Sequence, residues 1–163
     1  MARPTKEHGD YYLDDIRHIF NSGDFQNERK LCDYIEENIE SFCDELGIEM
    51  ESYERESYIF RRFKFTEGNQ PRIDFKIIGK DGKVTLVEVK NPKNLHREIH
   101  MAIGQVLNYI LIAEKNGIEV DRAVLLTTMC DKQFLDVIKR FGLPIDVVLM
   151  SKGFMGVWKK EVV

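Results

Sequence analysis

Two acids and a lysine, Asp74, Glu88 and Lys90, stand inside two strongly apolar strands, and that conflict constrains the fold more than any other feature of the chain. The stretch from Pro71 to Lys90 reads Pro-Arg-Ile-Asp-Phe-Lys-Ile-Ile-Gly-Lys-Asp-Gly-Lys-Val-Thr-Leu-Val-Glu-Val-Lys. Two short runs flank Gly79-Lys80-Asp81-Gly82-Lys83, a polar turn containing Asp-Gly, which is the pattern of a β-hairpin. Asp74 falls early in the first strand, and Glu88 and Lys90 fall near the end of the second. Charges at such positions are costly unless they are paired or bind a metal. The two-residue period of a strand puts Glu88 and Lys90 on one face, where Asp74 of the neighbouring strand can meet them. This is the layout of a divalent-metal site with a lysine beside it.

A sheet needs layers, and the flanking segments supply them. Apolar residues at helical spacing predict a short helix over Tyr11 to Phe20, stopped by Asn21-Ser22-Gly23-Asp24, and a longer one from about Asn27 to Leu46, ended by Gly47. The stripe of the second comprises Leu31, Cys32, Ile35, Ile39, Phe42 and Leu46, with Cys43 near its edge. Most of its acids point away. Glu28 is the exception: it lies about 20° from the centre of the stripe, at the helix N-terminus, where the dipole favours a carboxylate. A run of β formers from Ser57 to Phe65 predicts a strand before the hairpin. Helices are expected at about Leu95–Asn116 and Gln133–Phe141, closed by Gly117 and Gly142. Strands are expected at Arg122–Thr128 and Ile145–Met150, with a last short one over Phe154 to Lys159. In the second hairpin strand apolar residues occupy both faces, so that strand is central and covered on both sides.

The motif Asp74 … Glu88-Val89-Lys90, split by a short hairpin, resembles that of the PD-(D/E)xK nuclease superfamily. Pro71 precedes the acid by three positions, a spacing that varies within the superfamily. Gln105 and Tyr109, four apart on the helix after the lysine, resemble the Gln-x-x-x-Tyr element of its RecB-like and related branches. The resemblance covers roughly Glu28 to Tyr109. It implies an α/β fold of the restriction-endonuclease-like kind: three layers, with a central mixed sheet of about four to six strands flanked by helices. One domain over residues 1–163 is expected, with 1–26 as an N-terminal helical extension.

The activity implied is metal-dependent hydrolysis of DNA phosphodiester bonds, most simply by an endonuclease. An exonuclease or a branched-DNA (junction) resolvase is the alternative, and a non-catalytic nucleic-acid-binding module of the same fold is the alternative from another class. By the resemblance, Asp74, Glu88, the Val89 backbone carbonyl and Glu28 would hold the cation. Hard oxygen donors select Mg²⁺ or Mn²⁺ over zinc. Lys90 would orient the attacking water or offset charge on the phosphate, and Gln105 would complete the catalytic set. Tyr109, Lys93, His96, Arg97 and Arg72 are the candidates for contact with nucleic acid. A homodimer is suggested by the mode of action common among such nucleases.

Charge and composition fit this picture. The chain carries 24 Lys and Arg against 28 Asp and Glu. The balance is −10 over residues 1–54 and +5 over residues 55–98, so the basic excess lies around the motif, where local potential governs a polyanion's approach. No apolar run nears the roughly 20 residues needed to span a bilayer, and the N-terminus lacks the apolar core of a signal peptide. Three cysteines, an odd count without metal-ligand spacing, argue against a disulfide framework and make the cytoplasm the expected compartment. His96 and His100 stand four apart, but the glutamate between them is one place too late for a zinc protease, and no third ligand is evident.

Overall fold

The structure, a computed structural model, describes residues 28–58, 72–91, 95–128 and 132–150, and the backbone alone at residues 58 and 95–99. The expected helix over Tyr11–Phe20, the strand over Phe154–Lys159, most of the strand placed at Ser57–Phe65, and Lys93 lie outside the described residues. Within them the order is α1 (Glu28–Glu37), α2 (Ile39–Glu45), β1 (Met50–Tyr58), β2 (Arg72–Gly79), β3 (Val84–Lys90), α3 (Leu95–Lys115), β4 (Val120–Thr127), α4 (Lys132–Arg140) and β5 (Asp146–Leu149). The strands form one mixed sheet in the order β1-β2-β3-β4-β5. The first three are antiparallel neighbours, and β4 and β5 continue in parallel.

The expected α/β class, three layers and strand number are all present. On one face α1 and α2 bury Leu31, Ile35, Phe42 and Leu46 against Phe75, Ile77, Val87, Val89, Val124 and Leu126. On the other, Ala102 and Val106 of α3 and Phe134 and Ile138 of α4 cover Ala123, Leu125, Val147 and Leu149. Each fully buried large side chain contributes roughly 1.5–3 kcal/mol. Among the described residues no helix is long and apolar enough to cross a membrane.

Two elements differ from the sequence reading. The helix expected over Asn27–Leu46 is interrupted at Asn38, whose backbone leaves the helical region at φ −116°. Its side-chain amide donates to the Tyr34 carbonyl at 2.9 Å, competing with the helical ladder. The apolar stripe runs on unbroken across the interruption, so both halves bury the same face. The strand before the hairpin begins at Met50, earlier than expected. Its Met-Glu-Ser-Tyr-Glu-Arg-Glu-Ser-Tyr sequence has no apolar alternation to reveal it. That polarity suits the outermost position, where charge discourages further pairing. Arg55 joins this strand to α1 through Asp33 at 2.7 Å and Glu36 at 2.6 Å.

Candidate active site

The hairpin turn between β2 and β3 closes with Gly82 at φ +80°, a conformation glycine adopts freely. Register then follows as Phe75↔Val87, Lys76↔Leu86, Ile77↔Thr85 and Ile78↔Val84. The ladder stops at Phe75. Beyond it the Asp74 carboxylate, not a β2 carbonyl, accepts the Val89 N–H, at 2.7 Å. Asp74 thereby lies next to the Glu88-Val89-Lys90 backbone.

Glu88 is 4% exposed, between Val87 and Val89 on its own strand and opposite Leu125 of β4. Its Oε1 receives the Lys90 ammonium at 3.0 Å. Its Oε2 is buried and has no hydrogen-bond partner. Lys90 also stands 3.9 Å from Glu28, which leads α1. The structure therefore brings Asp74, Glu88, Lys90 and Glu28 into one cluster, with Glu28 on the solvent side of the lysine.

Burial dominates the electrostatics. It raises Asp74 against the lowering effect of the Val89 N–H, and the charge on Glu28 raises it further. Burial also raises Glu88, and the charge of Asp74 adds to it. Lys90 loses by burial but gains more from Glu88, Glu28 and Asp74, so its ammonium is held above the usual lysine range. One lysine thus faces three carboxylates. The cluster is short of positive charge, and the unpartnered Glu88 oxygen is where that shortage concentrates.

This chemistry fits a hard divalent cation. Two carboxylates and the Val89 carbonyl would be its protein donors, with further positions left for water or substrate oxygens. Among the described residues no three His, Cys, Asp or Glu side chains are gathered closely enough to hold a metal by themselves. Glu28 is held towards Lys90.

The other candidates separate. Tyr109 is buried, and its hydroxyl donates to the Arg72 carbonyl at 3.1 Å. Burial, with the charges of Glu88 and Asp74, pushes that hydroxyl up to about 12, which keeps it a donor. Tyr109 ties α3 to the start of β2, so it supports the site from behind. Gln105, one turn earlier, is exposed, and no hydrogen bond ties it to Asp74, Glu88 or Lys90. Arg72 is exposed two positions before Asp74, a cation at the border of the site. His96 and Arg97 lie in the first turn of α3, and their side chains are outside the described residues. His100 meets the Phe134 ring edge-on at 6.2 Å. Cys32 and Cys43 are core thiols; burial pushes Cys32 up to about 12, aided by the nearby charge of Asp74.

Sequence reading began this strand at Ser57 and so left out Glu56, whose charge also acts on Asp74. Glu56 is the one described non-glycine residue with a positive φ, +50°. Nothing in hydropathy marks it.

No protein-family model matches the chain, and no curated protein is similar to it. Two solved structures share part of its backbone arrangement. One is a repair endonuclease from Pyrococcus abyssi, 17% identical, with a TM-score of 0.49 over 79% of this chain and 49% of the other. The other is EndoMS in complex with double-stranded DNA, 18% identical, with a TM-score of 0.39 over 72% of this chain and 46% of the other. The chain spans about half the length of each.

Proposed function

We propose that the chain is a metal-dependent nuclease that hydrolyses DNA phosphodiester bonds, as an endonuclease. The observation that carries this reading is the buried, unpartnered oxygen of Glu88 beside Asp74 and Lys90. A purely structural network would close its own hydrogen bonds, because an orphaned buried acceptor costs about 1–3 kcal/mol or more when charged. The resemblance to the PD-(D/E)xK superfamily supplies the reaction class for such a cluster.

A divalent cation bound here would supply Lewis acidity towards a phosphoryl oxygen and would lower the pKa of a water bound to it. Asp74 and Glu88 would hold it, and the Val89 N–H fixes the Asp74 carboxylate through one of its oxygens. Lys90 keeps its proton because Glu88 holds it. From there its ammonium orients the attacking water or stabilises charge growing on the phosphate. Tyr109 steadies the start of β2, and Arg72 attracts the phosphate backbone.

The test is cleavage of supercoiled plasmid, linear duplex, single-stranded and four-way-junction DNA with Mg²⁺, Mn²⁺ or chelator. We expect cation-dependent nicking of closed circular plasmid, lost by at least about a hundredfold in Asp74→Ala and Lys90→Ala. Cutting only from ends, or only at junctions, would replace the endonuclease reading with the exonuclease or resolvase. DNA binding that survives both substitutions without any cutting would replace it with the binding module.

A further inference from the structure

β1 and β2 pair in one register on either side of Glu56: Arg55↔Phe75 before it, Ser57↔Ile73 after it. The pair between them, Glu56 opposite Asp74, is missing from the ladder. A residue at φ +50° cannot aim its N–H and C=O across an antiparallel ladder as its neighbours do.

The pleat changes phase at that point on both strands. Arg55 faces α1, as its bonds to Asp33 and Glu36 require. Regular alternation would then put Ser57 on the same face and Glu54 on the other. Instead the Ser57 hydroxyl donates to the Glu54 carboxylate at 2.5 Å, so both share a face. On β2, Phe75 and Ile77 belong to the core beneath α1 and α2. Ile73, of the same parity, packs with Leu86, Tyr109 and Ala113 beneath α3. Asp74 stands at the inversion. Uninterrupted alternation would send its side chain to the α3 face with Ile78; at the inversion it reaches across to the Val89 N–H instead.

We infer that Glu56 is a positioning residue: its left-handed backbone inverts the pleat of β1 and β2 and so turns the Asp74 carboxylate out of the strand face and onto the Val89 N–H. The functional weight of this role rests on the nuclease reading above. Strained backbone persists where the surrounding structure enforces it, and here it is enforced opposite the acid the site depends on.

The experiment compares Glu56→Gly, Glu56→Asn, Glu56→Gln, Glu56→Ala and Glu56→Ile. Glycine and asparagine accept a left-handed backbone, alanine less readily, and a β-branched residue least. The readout independent of catalysis is the Val89 amide in ¹⁵N–¹H spectra, meaning its proton shift and its exchange rate. We expect wild-type behaviour in the Gly, Asn and Gln variants, a partial loss in Ala, and loss in Ile. Mn²⁺ affinity and cleavage should follow the same order, within about twofold of wild type for Gly and falling at least tenfold for Ile. Should the Ile variant fail to fold, the Gly-to-Ala comparison carries the same test. A Val89 amide unchanged in both Ala and Ile would overturn the inference, as would a loss in Gln equal to that in Ile, which would assign the effect to charge. If the amide follows the order but wild type neither binds Mn²⁺ nor cuts, the nuclease reading fails and the backbone role stands.

Discussion

Asp74 and Glu88 place two carboxylates where only one lysine answers them, and this makes the metal-free protein sensitive to pH. Burial raises Asp74 from its ordinary 3.8 to about 6 and Glu88 from 4.5 to about 7. Between about pH 4 and 7 the folded protein keeps protons that the unfolded chain has released, so this contribution to stability falls as pH rises. In chelator, the difference in Tm between Glu88→Gln and wild type should therefore widen in favour of the variant from pH 4.5 to 7.5. A constant difference would remove the ionisation of Glu88 as its cause. Cation binding needs the ionised pair, so Mn²⁺ should raise the wild-type Tm at pH 8 and leave it unchanged at pH 4.5. Much of this residue-level picture is legible in the sequence, because charges within apolar strands announce themselves. The orphaned oxygen is not legible, since it depends on which rotamer Lys90 satisfies.

The elements differ in how clearly they are written. The hairpin, α3 and the parallel strands each lie within two residues of their expected bounds. Gly117 at φ +75° and Gly142 at φ +57° close their helices as the sequence implies. By contrast, β1 is mostly polar: Arg55 spends its charge on α1, and among the described residues the strand has no outer neighbour, so the signals a reader seeks are absent. The division of the first helix turns on one amide of Asn38, below the reach of periodicity. Tyr109 shows how an element serves the site. Tyr109→Phe keeps the ring packed beside Ile73 and Leu86 and removes only the bond to the Arg72 carbonyl. Urea unfolding should show a loss of about 1 kcal/mol.

Among the described residues, polar ties stand at both ends of the sheet. At the end away from the site Arg122 joins Asp146 of β5 at 2.9 Å and also donates to the Leu46 carbonyl that terminates α2. It therefore links three elements, and Arg122→Met should cost about 1.5–3 kcal/mol in urea unfolding while leaving cleavage intact. A parallel drop in cleavage would mean that the two ends communicate. The site end is assembled differently. Asp74, Glu88 and Lys90 fall within one hairpin, whereas Glu88 acquires its neighbour Leu125 only when β4 docks in parallel, thirty-seven positions later and after α3 has crossed over. Local hairpins close in about 1–10 µs, and parallel pairing across a helix waits on the entropy of a long loop. The burial of the acid thus belongs to the late, downhill side of folding. In a chevron, Glu88→Gln should slow the unfolding limb and leave the refolding limb in place. The chain would commit to its topology before it meets the penalty of enclosing its own reactive group.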